Sequence, residues 1–229
     1  MTLYETIFKR RSARRYSAEP LSEAVRADIE ARANSEKRLF DREATFELVG
    51  GGDLKGGMAP YALTAYSDGD DASKVNIGYV LQDLDLYIQS IGLGSVWCGM
   101  ARPRERKSDY RILLGFGNTD VPFRAGEDAF KRKNLSDISQ EDNAVARAVR
   151  VAPSAVNLQP WKLKFYDGKV VIESAARGVG KLLPGKIYLY DLGIAVKHAE
   201  LALRHEGRAV TGIKIIDGTK PLAVEIDYE

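Results

Sequence analysis

An internal repeat constrains this chain more than any single motif. Asn76-Ile77-Gly78 is followed by Gly92, and Asp191-Leu192-Gly193 by Gly207; 191 − 76 and 207 − 92 both give 115. The first copy reads as an amphipathic helix over Lys74–Ile91, with Ile77, Val80, Leu81, Leu84, Tyr87, Ile88 and Ile91 along one stripe. Other segments correspond in the same order. Strand-like Phe46–Val49 matches Leu163–Tyr166, and helix-like Ser22–Ala33 matches Gln140–Val151. The pattern predicts a fused duplication, with a first half over 1–135 and a second over 136–229. At 229 residues the chain is long enough to bury a full core.

Taken in order, Leu3–Lys9 has helical apolar spacing and runs into Arg10-Arg11-Ser12-Ala13-Arg14-Arg15-Tyr16. Cations at a helix end complement its dipole, and guanidinium groups also grip phosphate bidentately. Ser22 reads as the N-cap of the next helix, and Thr45–Val49 as a strand. Gly50–Gly57 is glycine-rich but lacks a Gly-Lys-Ser/Thr ending, so it reads as a turn. Ala59–Tyr66 reads as a strand whose proline marks an edge or a first position. Gly92 and Gly94 end a helix, whereas the glycines of a dinucleotide fingerprint open one. Arg111–Phe116 is a short apolar strand, and Ser139 reads as the start of a further helix with Asp142 at N3.

Val151–Trp161 holds two prolines seven residues apart, with Ser154, Asn157 and Gln159 between them. Proline fixes φ and donates no hydrogen bond, so this is neither helix interior nor central strand. It joins a helix over Asn143–Arg150 to a half-buried strand over Lys162–Tyr166, which turns at Asp167-Gly168. A stiff loop of this kind holds small polar groups in place.

Several of these segments together resemble the nitroreductase (FMN-dependent oxidoreductase) family. Ala152–Trp161 is similar to its A-P-S-A-x-N-x-Q-P-W loop, Arg10–Tyr16 to R-R-S-x-R-x-[FY], and Gly92–Gly99 to G-L-G-[ST]-x-W-x-G. Lys131-Arg132-Lys133 resembles its basic tail, and both repeat copies its D-x-G-x-[AV] helix. The resemblance spans essentially the whole chain and is to a single-chain tandem branch. It implies an α+β fold in which two repeats form a pseudo-dimer, with mostly antiparallel central sheets flanked by helices. It further implies FMN as cofactor, NADH or NADPH as reductant, and ping-pong reduction of nitro compounds, quinones or related small acceptors. Arg10, Arg11, Ser12 and Arg14, with Lys131 or Arg132, would hold the phosphate. Pro153, Ser154 and Ala155 would pack on the ring, and Asn157 would orient the loop or the flavin. Backbone N–H groups near Trp97, Cys98 and Gly99 would address its N5 edge. No side-chain acid or base is implied.

The two halves keep complementary motifs. The first has the arginine segment, the Gly-Trp segment and the basic tail, but Ala33-Asn34-Ser35-Glu36-Lys37-Arg38 stands where the proline loop would be. The second has the loop, but Arg208-Ala209-Val210 follows Gly207. One flavin site per chain, between the halves, is the expectation, and with it a monomer that mimics the family homodimer. Two other readings share these residues: a degenerate binding or sensor protein, and a flavoenzyme of this fold with non-nitro chemistry.

Composition narrows the remaining classes. A net charge of +2 argues against nucleic acid as the main partner. Cys98 is the single cysteine, so an intrachain disulfide and a cysteine-rich metal site are excluded, and a reducing, cytoplasmic setting fits. The first twenty residues contain no apolar core of a secretory signal, and no apolar run is long enough to span a bilayer. His198 and His205 lack metal spacing and read as surface or half-buried.

Overall fold

The computed structural model describes residues 1–35, 39–105, 107–176, 184–216 and 222–229. The first half runs α1 (Leu3–Ile7), α2 (Glu23–Ser35), β1 (Thr45–Gly50), β2 (Leu54–Lys55), β3 (Tyr61–Tyr66), α3 (Asp71–Ser90), β4 (Gly94–Cys98), β5 (Arg102–Pro103) and β6 (Tyr110–Gly117). The second runs α4 (Ala144–Arg150), β7 (Trp161–Tyr166), β8 (Lys169–Ser174), α5 (Tyr188–His205), β9 (Val210–Ile215) and β10 (Ala223–Tyr228). Each half builds one four-stranded antiparallel sheet, ordered β1-β3-β6-β4 and β7-β8-β10-β9. Position for position, the two orders are the same. The fold is α+β, with helices packed on antiparallel sheets.

Helices α3 and α5 lie together at the centre, and the repeat shows in their contact. A Cβ on Gly78 would fall 2.2 Å from the Tyr190 carbonyl oxygen, and one on Gly193 would fall 2.1 Å from that of Val75. Adding 115 to 75 and 78 gives 190 and 193, so the pseudo-dyad exchanges the two contacts. Backbone touches backbone here, and only glycine fits. Gly193→Ala is expected to destabilise the protein by about 2–3 kcal/mol, because rigid helices must separate to admit the methyl group. Urea denaturation checks this, and an unchanged midpoint would show that the helices are less closely held.

Caps explain where the boundaries differ from the sequence expectations. Asp70 accepts from the Ser73 N–H, so α3 begins at Asp71, ahead of Lys74. The helix expected to start at Ser139 begins instead at Ala144, capped by Asn143. Ser139 Oγ accepts from the Glu141 N–H, and Ser139 bridges in parallel to Leu163. That stretch extends the edge of the second sheet. Pro60 lies just before β3, which is central and not an edge strand. His198 is fully buried, against the surface or half-buried expectation, because α5 is covered on nearly all sides. Among the described residues no helix is long and apolar enough to cross a membrane.

Candidate functional site

Arg10 belongs to the interior. It is 2% exposed, and its Nε lies 2.7 Å from Asp85 Oδ2, itself fully buried. The approach is off the N–H direction, so charge rather than a directed Nε hydrogen bond holds it. Arg10 Nη2 donates to Ser12 Oγ at 3.3 Å. Asp85 also accepts from Ser95 Oγ at 2.6 Å and Gln89 Nε2 at 3.2 Å, while Gln89 Oε1 accepts from the Arg11 N–H at 2.8 Å. Ala13 N–H donates to the Ser95 carbonyl, so residues 10–13 lie clamped along α3 and the edge of β4. Arg10 is therefore a structural anchor as well as a cation. An alanine there would unbalance the core as well as remove a cation.

Arg132 approaches the same region from the basic segment. Its Nη1 donates to Asn157 Oδ1 at 2.7 Å and its Nη2 to the Val151 carbonyl at 3.1 Å. Its guanidinium lies 5.4 Å from the Phe130 ring centre, and that of Arg124 lies 4.5 Å from the same ring. The Nε atoms of both are buried without a hydrogen-bond partner. Burial, followed by the cations of Arg10, Arg124 and Arg150, pushes Arg132 down to about 10. Burial, then Arg11 and Arg10, likewise lowers Arg124. Among the described residues, two carboxylates answer these five arginines: Asp85 on Arg10, and Glu127 at 3.0 Å from Arg150. The remaining charge is positive, partly desolvated and rich in unused donors, which is the chemistry of an anion site. Arg124 escaped sequence reasoning, since it belongs to no recognisable motif, and Arg150 reads in the sequence only as the end of the helix over Asn143–Arg150.

The proline loop meets this cluster through its backbone and its amides. Asn157 Nδ2 donates to the Lys131 carbonyl at 3.0 Å, and Gln159 Oε1 accepts from the Lys133 N–H at 2.8 Å. Ser154 Oγ accepts from the Gln159 N–H at 2.9 Å. Pro153, Ser154 and Ala155 are half-buried. Val156, Asn157 and Gln159 have φ of 43°, 59° and 48°. A β-branched valine in the left-handed region is strained by about 1–3 kcal/mol, and the surrounding hydrogen bonds hold it there.

Trp97 Nε1 donates to Gln82 Oε1 at 3.3 Å, and Gln82 Nε2 lies 3.1 Å from His198 Nε2. His198 Nδ1 lies 2.8 Å from the Ala148 carbonyl, which requires the proton on Nδ1 and leaves Nε2 to accept from Gln82. Burial pulls His198 down to about 3, so it stays neutral. A Cβ on Gly99 would lie 3.1 Å from Ile187 Cδ1, which brings the end of β4 against the second half. Not every expected residue joins the arginine cluster. Arg14 is exposed, and its charge acts on Cys98 and Tyr16. Cys98 is half-buried, with its thiol pushed up by burial, and the Lys131 side chain is exposed.

Asp191 fixes the loop from below. Its Oδ1 accepts from the Ala155 N–H at 2.9 Å, while its Oδ2 is buried without a partner. Asn76, its counterpart in the repeat, accepts from the N–H groups of Leu39 and Phe40. Burial raises Asp191 to about 7. The native state therefore binds more protons than the unfolded chain between the usual carboxylate range and pH 7, and stability falls as pH rises through that window. Asp191→Asn keeps an acceptor for Ala155. It is expected to be more stable than the parent at pH 8, with the difference closing toward pH 4. A difference independent of pH in chemical denaturation would contradict this. Among the described residues no group of histidines, cysteines and carboxylates is arranged to hold a metal ion.

Comparison with known proteins adds a second, independent line. The sequence profile of the family described as "Putative TM nitroreductase" matches residues 2–203. A crystal structure described as a "putative nitroreductase" from Thermotoga maritima is similar with TM-score 0.72 and 21% identity, covering 99% of this chain and 94% of that one. A nitroreductase family protein from Clostridium difficile 630 is similar with TM-score 0.52 and 17% identity; the match covers 62% of this chain and 100% of that one. One from Streptococcus pneumoniae TIGR4 gives TM-score 0.50 and 14% identity over the same shares. No curated protein matches the sequence.

Proposed function

Because this chain belongs to the nitroreductase family, we propose that it is an FMN-dependent oxidoreductase with one flavin site where its two halves meet. The observation that carries the reading is the meeting of Arg10, Arg124 and Arg132 beside Asn157, with positive charge in excess and two Nε donors unused. A phosphate monoester dianion answers both deficits at once. The residues present therefore fit the phosphate end of FMN.

In this reading Arg10, Arg11, Ser12 and Arg132, joined by Arg124, hold the phosphate, Lys131 adds charge at its exposed side, and Arg14 adds charge nearer Cys98. Pro153, Ser154 and Ala155 cover the ring, and Asn157 ties that cover to Arg132. Strain in Val156 and the Asp191 bond to Ala155 keep the cover rigid, so little ordering is needed on binding. The backbone at Trp97, Cys98 and Gly99 borders the ring edge, held through Gln82 and His198. Bound FMN would supply hydride chemistry, accepting from NADH or NADPH and passing to a nitro compound, quinone or related small acceptor. No side-chain acid or base is assigned. The halves divide near residue 135 and share one interface, so the chain acts as a monomer. Free Cys98 suits a reducing cytoplasmic setting.

The test is direct. Purified protein reconstituted with FMN should stay yellow through gel filtration and bleach on anaerobic addition of NADH or NADPH. Arg132→Ala should weaken FMN about tenfold or more, the loss of a charge-assisted contact worth roughly 1.5–3 kcal/mol. Flavin retention equal to that of the parent would sink the phosphate assignment, whatever the substrate.

A further inference from the structure

A second feature is built from second-half residues, none of which is an arginine of the cluster. A cleft of about 420 Å³ opens between the start of α4, the β7–β8 turn and the ends of α5 and β10. Val145, Leu203 and Tyr228 line it, with Tyr166 at its mouth, 53% exposed. Glu141, Asp167 and Glu206 stand around it against one cation, Arg208. Among the described residues none of the three carboxylates forms an ion pair; Glu141 accepts from Asn143 Nδ2 at 3.0 Å.

The pseudo-dyad shows what such a place is for. Subtracting 115 from 203, 206 and 208 gives Ile88, Ile91 and Leu93; Val210 corresponds in the same way to Ser95, so its partner Tyr228 corresponds to Phe116, the partner of Ser95, and Glu229 to Gly117. In the first half that place is filled by the chain itself. Ala13 N–H donates to Ser95 O at 2.9 Å on the edge of β4, and Ser17 N–H donates to Asn118 O at 2.9 Å. A Cβ on Gly94 would fall 2.6 Å from Ala13 Cβ, and one on Gly117 would fall 3.3 Å from Tyr16 Cδ1. The segment then buries Leu21 before α2 begins. The second half has no such segment, since the chain passes from the Ser139 bridge to the Asn143 cap within a few residues. Its cleft is open, and among the described residues no strand pairs with the outer edge of β9, the counterpart of β4.

We propose that the open cleft and the free edge of β9 receive an extended segment of a partner protein in which basic residues precede an aromatic one. This goes beyond the flavin reading and does not depend on it. Backbone hydrogen bonds along β9 would supply the docking, as in strand addition to a sheet edge. The ring would enter over Leu203 and Tyr228, and its basic neighbours would meet Glu141, Asp167 and Glu206. The first half's own strap, Arg14-Arg15-Tyr16, has that composition.

The probe is a synthetic peptide of the sequence Ser12–Leu21, labelled for fluorescence anisotropy and titrated with the full-length protein. Saturable one-to-one binding is expected, weakened about tenfold by Glu206→Arg in the protein or by glutamate in place of both arginines in the peptide. Tyr166→Ala, an exposed position, should weaken it similarly, and flavin content should stay unchanged in both variants. Hydrogen exchange at Val210–Ile215 should slow on peptide addition. Absence of saturable binding, or binding insensitive to both variants, overturns the proposal. Self-association of the protein alone that the peptide reverses would assign the cleft to a second copy and overturn the partner-protein assignment.

Discussion

Arg10→Ala is expected to lower the unfolding free energy by about 3–5 kcal/mol, the range for removing one partner of a buried ion pair. The side chains of Arg10 and Asp85 are 2% and 0% exposed, so water cannot replace the lost cation. Asp85 would keep bonds from Ser95 and Gln89, but those donors are neutral. Residues 10–13 would also lose their anchor on α3, which loosens the clamp on β4. Denaturant titration at neutral pH checks the size of the loss. A control separates stability from flavin binding: in Arg10→Ala/Asp85→Ala both charges leave together, and much of the stability should return. A single variant as stable as the parent would mean that Asp85 is not committed to Arg10, and the anchor would have to be abandoned.

FMN is expected to saturate at one per chain, and Ser154→Trp is expected to abolish binding by crowding the cover of that site. The physical argument lies in the repeat. Asp85, which receives Arg10, corresponds to Glu200 at an offset of 115. Glu200 is already neutralised within its own half, by Lys197 at 3.2 Å and Arg204 at 2.9 Å. Gln82, which links Trp97 to His198, corresponds to Lys197, and the Gln82–His198 contact becomes Lys197–Asp83 at 3.5 Å. Among the described residues, the second pseudo-symmetric place has turned these polar groups on one another. Residues 36–38, part of the segment that stands where the proline loop would be in that place, lie outside the described residues. Calorimetric titration giving two equivalent sites, or full binding in Ser154→Trp while Arg132→Ala binds weakly, would move the ring to another surface.

Much of the architecture is legible along the chain, because it rests on local rules. Apolar period gave α3, the prolines kept Val151–Trp161 out of helix and sheet, and the constant offset announced two halves with one order of elements. The false helix start at Ser139 shows the limit of such rules. Ser139 and Asn143 are both competent caps, and only the parallel bridge to Leu163 decides that Ser139 serves the sheet. His198 was misplaced for a related reason. An imidazole suits a surface or an interior equally, and the choice is made by Gln82 and the Ala148 carbonyl, far away in sequence.

By itself, then, the sequence determined the repeat, the element types and which motifs each half retains. Tertiary structure alone decided that Arg10 is buried on Asp85, and that Arg124 and Arg150 join Arg132. It also decided that Asp191 holds the loop with one oxygen unpaired, and that the second half is left with an open groove. Helix and strand preferences act over a few residues, so they can be read along the chain. Charge balance and desolvation depend on what lies within a few ångströms in space, and here those neighbours come from both halves of the fold.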